Sequence, residues 1–590
     1  MKRSINDRMS AEVIDIDNYN DTVTFECRYP KFEEGDVIGY IMQSRTIKPL
    51  GIVIDGGKLI TVSLYKSQDL NIRSVDLCRV DTLIGYYLQL DLIKSIKEGK
   101  LSELTRHAVS CVFDRYHMGE IIKKVRLSNE ERLDDSQLEV VESILNLDDN
   151  EALMVVGPPG TGKTRVIARA SELLMNRGKR ILIASHTNRA VDNVLERLPV
   201  KDSLRVGRPE KVLDSIKPYL LSYKAETALG STLKGINARI GELRNTIKSL
   251  YSIRDELNRV YPSQYTDKIR RYKSELKNLY ETRNRMLIEE SELLVHEAKI
   301  IGSTLIRSQL PPLDKEVFDI IFIDECSQAS ITLALLGMIK AKRWVLVGDH
   351  KQLLPIFTSL NDQRYRKVSE MLSAFCHMKD RYEHRTLWLR YHYRSNNEII
   401  GFSQIYIYEG KIKPVESCKE KKLNMTDYPP DMEFLNPNLP VVFIHIDGRE
   451  DVENGGSRSN YAEVNAIVKI VYALIEHGVN SSEIGVITPY RAQRNKIREA
   501  LSSKEEIEVN TVDSFQGREK DVIIFSITST EDLTFVEDEN RLNVAFTRAK
   551  KKLIVIGNIN SIKREEQRRS LPLLSNFLEY VEKRKGLFIL

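Results

Sequence analysis

Two α/β domains in tandem, led by a small β-barrel on a helical stalk and interrupted by an inserted helical hairpin, are the architecture this sequence predicts. Three observations carry it. The apolar run Ala152-Leu153-Met154-Val155-Val156 leads straight into Gly157-Pro158-Pro159-Gly160-Thr161-Gly162-Lys163-Thr164 and then into helical sequence, giving the strand, glycine loop and helix of a P-loop. Short apolar strands alternate with helices from about 127 to 385 and again from about 386 to 585, the pattern of parallel sheets. About the first 85 residues instead alternate apolar and polar positions with period two and read as a barrel.

Within residues 1–85 the strand signals are Val23-Thr24-Phe25-Glu26-Cys27-Arg28-Tyr29, Gly51-Ile52-Val53-Ile54 and Lys58-Leu59-Ile60-Thr61-Val62-Ser63-Leu64, the last two joined by a turn at Asp55-Gly56-Gly57. From about Thr82 the period changes. Leu88, Leu90, Leu92, Ile93, Ile96, Leu101 and Leu104 recur at helical spacings, broken by Gly99, so 86–126 reads as a helical stalk. The first α/β domain takes 127–212 and resumes over 299–385. Between these pieces, in 213–298, Leu233, Ile236, Ile240, Leu243, Ile247 and Leu250 keep helical spacing before Tyr261-Pro262-Ser263, and Ile269, Tyr272, Leu276 and Leu279 keep it after. A proline-containing turn between two such stripes folds them back as an antiparallel hairpin; the same stripe could also pair two chains as a coiled coil. The second α/β domain fills 386–590, with strands such as Val441-Val442-Phe443-Ile444-His445-Ile446 and Leu553-Ile554-Val555-Ile556-Gly557.

A net charge of +5 over 590 residues permits nucleic-acid binding without arguing for it, so local grooves must decide. Cys27, Cys78, Cys111, Cys326, Cys376 and Cys418 are scattered singly, which disfavours a zinc module or a disulfide framework and points to a reduced intracellular compartment. The N-terminus leads into polar sequence, and no stretch approaches the roughly 18 apolar residues of a membrane helix, so secretion and membrane spanning are disfavoured.

The chemistry starts at the P-loop. Its glycines let backbone N–H groups wrap a phosphate, the helix turns its positive end to the anion, Lys163 reaches the β/γ-phosphates, and Thr164 offers a hydroxyl to Mg²⁺. Phe318-Asp319-Ile320-Ile321-Phe322-Ile323-Asp324-Glu325-Cys326-Ser327-Gln328 is a strand ending in adjacent carboxylates. Beside a P-loop, Asp324 suits a water-bridged Mg²⁺ and Glu325 suits taking a proton from the attacking water. Trp344-Val345-Leu346-Val347-Gly348-Asp349-His350-Lys351-Gln352-Leu353-Leu354-Pro355 is another strand, whose exit loop brings Gln352 towards the γ-phosphate. Only 13 glutamines occur, yet those at 137, 328, 352 and 516 each fall beside a Gly, Asp or Glu loop at a strand end or helix start. An uncharged donor and acceptor suits reading a base edge or phosphate occupancy. Cys376-His377 has no second pair nearby and is not a metal site; Lys563 to Arg569 reads as a solvated helix face.

The P-loop, Asp-Glu-x-x-Gln at 324–328 and Gly-Asp-x-x-Gln-Leu-x-Pro at 348–355 together resemble superfamily 1 helicases. The resemblance is to the up-frameshift-like group of superfamily 1B, which holds the nonsense-mediated-decay helicase, senataxin and the immunoglobulin-mu-binding helicase. Leu133-Asp134-Asp135-Ser136-Gln137 is similar to the Q motif, the run from Ala184 to Asp192 to motif Ia, and Gly302-Ser303-Thr304 to motif Ic. Tyr393-Arg394 is similar to the pair that stacks on adenine and contacts the γ-phosphate, and the run from Ile487 to Gln493 to the next strand-loop motif. The runs from Val509 to Glu519 and from Asn543 to Lys550 are similar to motifs V and VI.

This resemblance spans about residues 125 to 560 and implies two RecA-like domains, with the barrel and stalk as accessory domain 1B and the hairpin as insertion 1C. It implies ATP and Mg²⁺ as cofactors, with nucleotide held by Gln137, Gly157, Pro158, Pro159, Gly160, Thr161, Gly162, Lys163, Thr164, Tyr393 and Glu519, and metal by Thr164 and Asp324. Lys163, Asp324, Glu325, Gln352, Arg394 and Arg548 would be catalytic. Single-stranded RNA or DNA would be gripped by Ser185, Asn188, Thr304, Thr488, Arg491, Thr511 and Ser514, by a monomer with no membrane partner. The implied activity is ATP-driven 5′→3′ translocation and unwinding; the alternative is an ATPase that clamps or remodels nucleoprotein without unwinding. Two departures stand out. Asp-Glu-Cys-Ser-Gln replaces the family's Asp-Glu-Ala-x-Gln, and His392-Tyr393-Arg394-Ser395 replaces Gln-Tyr-Arg-Met. No Cys/His-rich regulatory domain, nuclease domain or Fe–S cysteine set is expected.

Overall fold

The computed structural model describes residues 8–590 except 18–21, 28–31, 34–35, 43–46, 56–58, 66–73, 115, 117, 123, 129–132, 257–261, 358–364, 426, 454, 505 and 570–571. Arg28-Tyr29 of an expected strand, Gly56-Gly57 of the barrel turn and Tyr261 of the hairpin turn lie outside the described residues.

Six antiparallel strands, Met9–Asp17, Thr22–Cys27, Val37–Ile41, Ile47–Asp55, Leu59–Leu64 and Ser74–Arg79, close into a barrel in the order first, second, fifth, fourth, third, sixth. Period-two alternation puts Val23, Phe25 and Cys27 inside it with Ile60, Val62 and Leu77. Gly51 is required by a close strand approach, since a Cβ there would lie 1.9 Å from the Ser63 carbonyl oxygen.

The stalk is helix Asp81–Lys97, which begins inside the span expected for the barrel, followed by Glu103–Phe113, capped by Ser102 Oγ accepting from Thr105 N. It does not project freely. Ile84, Leu88, Leu92, Ala108, Cys111 and Val112 merge with the core of the first α/β domain, and Tyr382 OH donates to Cys111 O at 2.7 Å. Leu90, expected in the apolar stripe, is 62% exposed, because about 100° per residue turns it away from Leu88 and Leu92.

The first domain is a seven-stranded parallel sheet in the spatial order Thr386–Trp388, Ala152–Val156, Trp344–Gly348, Ile320–Asp324, Ile181–Ser185, Ile300–Thr304, Ser203–Val206. Its central strands are buried on both faces, so they read as continuous apolar runs. Thr386–Trp388 pairs with Ala152–Val156, so the first sheet continues past the boundary expected at 385. The second domain is also parallel, in the order Glu508–Thr511, Ile484–Thr488, Lys520–Ser526, Ala549–Gly557, Val441–His445, Leu587–Ile589.

Helices Leu221–Glu256 and Pro262–Glu297 pack on each other within the one chain as the hairpin. Pro262 and Ser263, expected in the turn, instead open the second helix, where proline's missing N–H costs no hydrogen bond. Gly230 (φ 45°) bends the first helix. Leu233, Ile240, Leu243, Ile247 and Ile269 are buried as the stripe requires. The second helix also meets the barrel, with Asn284 Nδ2 donating to Thr61 Oγ1 at 2.6 Å. No described helix is long and apolar enough to cross a membrane.

One buried ion pair fixes the corner beneath motif Ia. Arg205 Nε meets Asp192 Oδ1 at 2.7 Å with both side chains at most 1% exposed, and Arg205 Nη2 donates to Asn188 Oδ1 at 2.8 Å. Asp192→Ala leaves that guanidinium buried and uncompensated, at a cost of about 3–5 kcal/mol. The first urea transition of the full chain should move to lower concentration; an unmoved transition would mean that water replaces the carboxylate.

Candidate functional site

A cleft of about 700 Å³ is lined from one side by the P-loop, at the carboxyl end of strand Ala152–Val156, and from the other by Tyr393, Arg394, Gln516, Glu519 and Arg548. Gly160 and Gly162, with φ of 70° and 88°, let the loop curl before helix Lys163–Asn176 presents its N-terminus. Gln137 braces the loop. It closes a capping box with Asp134 at the start of helix Asp135–Leu145 and donates from Nε2 to Thr161 O at 3.1 Å. Lys163 Nζ folds back onto Gly157 O at 2.7 Å, with Thr164 half-buried beside it.

Asp324 ends its strand 4% exposed and accepts from Glu325 N at 2.9 Å. Burial and the neighbouring Glu325 raise its pKa, against the pull of Lys163. Glu325 sits at φ 51°, a left-handed conformation uncommon for a non-glycine, and accepts from Gln516 Nε2 of the second domain at 3.4 Å. Gln352 donates to Asp349 Oδ2 at 2.9 Å and accepts from Arg548 Nη2 at 3.3 Å. Burial lowers the Arg548 pKa to about 10, with repulsion from Arg394 adding to it, so the guanidinium remains charged at neutral pH. Arg394 Nε pairs with Glu519 at 2.5 Å. Burial alone would raise Glu519, but Arg394 and Lys550 hold it below the usual carboxylate range. Tyr393 donates to Asp134 Oδ2 at 2.7 Å and is 37% exposed, leaving its ring open for stacking.

Gln137, Gln328, Gln352 and Gln516, singled out in sequence by their loop positions, all line this cleft. Thr164 and Asp324 are two oxygen donors on one wall, and no group of three or more His, Cys, Asp or Glu side chains gathers among the described residues. That donor set fits Mg²⁺, which keeps waters and takes oxygens from a nucleotide, and does not fit a metal caged wholly by protein.

The expected strand contacts divide. Arg491 and Ser514 are exposed and Thr304 half-buried. Ser185 and Thr488 are fully buried, Ser185 Oγ accepting from Thr187 N and Thr488 Oγ1 lying 3.1 Å from Thr528 Oγ1. Thr511 is 8% exposed and donates to Ser514, while the Asn188 carbonyl is taken by Arg205. Ser185, Thr488 and Thr511 are therefore buried at strand ends, whereas half-buried Asn188 opens a helix and has its carbonyl engaged.

Sequence reasoning gave no role to Arg189 and Lys421, which line the cleft, or to His392 buried beside it. Arg189 reaches across to Gly517 O at 3.4 Å, and Lys421 Nζ donates to the carbonyls of Tyr393 and Arg394. Arg189 lies inside the motif Ia run, whereas Lys421 sits in an ordinary charged tract with no signal. His392, where the family has Gln, is fully buried against the P-loop. Its Nδ1–H donates to Pro159 O at 2.7 Å and its Nε2 accepts from Ser395 N at 2.7 Å, fixing one neutral tautomer.

Two AAA-domain family models match the chain, over residues 132–360 and 371–560. An ATP-dependent helicase of Methanocaldococcus jannaschii is 31% identical over 74% of this chain and 69% of its own length. DNA polymerase alpha-associated DNA helicase A of Schizosaccharomyces pombe is 31% identical over 75% of this chain and 66% of its own. DNA-binding protein SMUBP-2 of Rattus norvegicus is 27% identical over 73% of this chain, which spans only 43% of that protein. Among solved structures, the arterivirus nonstructural protein 10 helicase gives a TM-score of 0.34 at 14% identity, over 93% of this chain and 76% of that one.

Burial pushes the His392 pKa down to about 3. The unfolded chain takes up a proton near pH 6.5 that the folded chain refuses, so this residue removes stability as pH falls from about 6.5 towards 3, by at most about 1.4 kcal/mol per pH unit. His392→Gln carries no such proton and should flatten the loss of melting temperature between pH 6.5 and 4.5. Parallel pH profiles in the two proteins would show that the ring charges in place.

Proposed function

From its membership of the up-frameshift-like superfamily 1B helicases, to which the chain belongs, we propose that this ATP-dependent helicase travels 5′→3′ along single-stranded RNA or DNA as an intracellular monomer. The observation that supports this best is the convergence of the P-loop, Asp324-Glu325 and two second-domain arginines on one cleft. Lys163 leaves Gly157 O for the β/γ-phosphates, and Tyr393 stacks on the adenine that Gln137 reads at its edge. Glu325 takes the proton of the attacking water, aligned with Gln516 at its carboxylate. Thr164 and Asp324 would hold Mg²⁺, which would supply positive charge to the phosphate oxygens. Arg394 and Arg548 repel one another on the second-domain wall until a γ-phosphate held by the P-loop lies between them, so nucleotide draws that wall onto the first domain and hydrolysis lets it part. Gln352, bonded to Arg548, carries phosphate occupancy to the sensor loop.

Strand displacement on duplexes with 5′ or 3′ tails, in RNA and DNA, tests the reading. Displacement from 5′ tails only, needing ATP, is expected; strand-stimulated turnover without displacement would favour the clamping alternative, and no stimulation would sink both.

Lys163→Ala and Glu325→Gln should both abolish turnover yet differ in binding. The first loses the charge that meets the phosphates, whereas the second keeps the pocket and loses only the base, so ATP should accumulate on Glu325→Gln alone. Filter binding of labelled ATP decides it, and equal loss of affinity would refute the assigned roles. Arg548→Ala should cut stimulated turnover by about 10³ while leaving strand affinity within a few-fold. Retention of more than a tenth of the wild-type rate would make Arg548 structural.

A further inference from the structure

Helix Arg491–Ala500 carries a basic ridge, with Glu499 its one acid. Its inner side is Ala492, Gln493 and Ile497, all buried; Arg491, Arg494 and Arg498 recur at spacings of three and four on its outer side. Arg494 donates from Nε and Nη2 only to the neutral amide of Asn495, at 3.2 and 2.8 Å. Arg498 is fixed on the neighbouring strand, donating to Val509 O and Asn510 Oδ1, both at 2.8 Å. Among the described residues no carboxylate pairs with any of the three. Glu508, the acid nearest Asn510, is already engaged by Arg518 and Lys520. Burial and then repulsion from Arg498 and Arg491 lower the Arg494 pKa, so these cations feel one another. On its flank Lys496 Nζ sits 4.0 Å over the ring of Tyr461, itself 57% exposed, and donates to Ser459 Oγ at 2.8 Å.

Like charges stacked on two helical turns weaken a helix unless an anion lies across them. The ridge starts just after Thr488, at the carboxyl end of one strand, and ends against Val509 and Asn510 within the adjacent strand Glu508–Thr511. We propose that Arg494 and Arg498, continuing from Arg491, form a second phosphate-binding track for single-stranded nucleic acid on the outer edge of the second domain, beyond the motif contacts. This rests on the reading above that the chain binds a single strand. The bound species is an extended, phosphate-bearing strand with a base able to meet the exposed Tyr461 ring.

The test is anisotropy of a labelled oligonucleotide, long enough to cross both domains, titrated with the full chain over a range of salt. Each phosphate neutralised contributes about 0.7 to the slope of log K against log salt on single strands. Arg494→Gln should lower the slope by about 0.7, and Arg494→Gln with Arg498→Gln by about 1.4, with more strand needed for half-maximal ATPase stimulation and turnover at saturating strand unchanged. Among the described residues Arg494 hydrogen-bonds only to Asn495, so the single variant keeps the test valid if loss of the Arg498 bonds harms folding. A wild-type chain that binds no strand would overturn the function itself. Wild-type binding with an unchanged slope in Arg494→Gln would overturn this track alone.

Discussion

The cleft depends on one buried carboxylate. Asp349 has no exposed surface, yet it sits at the exit of strand Trp344–Gly348, where a charge needs donors to be tolerated. It accepts from Gln352 Nε2 at 2.9 Å, from Lys351 N at 3.0 Å and from the second domain's Tyr408 OH at 2.6 Å. Burial and this carboxylate keep the Tyr408 hydroxyl protonated, raising its pKa well above the ordinary value. Asn543 closes the ring by donating to Tyr408 Oη and to Lys351 O, each at 2.7 Å. The loop leaving one sheet is thus bonded to the helix that ends just before Arg548. Gln352 and Arg548 meet because Asp349 orients the first while the Asn543 helix carries the second.

A second junction lies at the P-loop. Tyr393 N donates to Gly160 O at 2.8 Å and the His392 ring holds Pro159 O, so the chain entering the second domain rests on the loop that wraps phosphate. A Cβ on Gly160 would stand 2.7 Å from His392 Cε1 and 2.6 Å from Arg394 Cβ. The glycine there serves the domain junction as well as the loop. Ser395 Oγ reaches Ala549 O at 2.6 Å, tying the same segment to the strand after Arg548.

The accessory elements are anchored by a few polar bonds set on apolar contacts. Asp36 in the barrel pairs with Arg79 and with Arg208 of the first domain, each at 2.9 Å. Gln89 on the stalk accepts from Ser330 and Thr332 at the start of a first-domain helix. The barrel also meets the hairpin through Asn284 and Thr61. Motion between the two α/β domains would therefore carry barrel, stalk and hairpin with the first of them.

What the sequence determined by itself follows from local rules. Period-two and helical periodicities separated barrel, stalk, hairpin and parallel sheets, because burying one face dictates spacing. The glycine loop, the paired carboxylates and the four glutamines were legible because their chemistry needs those residue types at strand ends, where all of them line the cleft. Only the tertiary structure decided which polar side chains remain free. Ser185, Thr488 and Thr511 carry motif identities but are buried at strand ends, and Arg205 takes the carbonyl of Asn188. Leu90 shows the same limit, since an apolar residue on a helix does not reveal which side its neighbours cover. The placement of Thr386–Trp388 in the first sheet, the His392 contact and the Asp349 ring all join residues far apart in the chain. Spacing along a sequence encodes local geometry, and such meetings are set only when two separately formed surfaces dock.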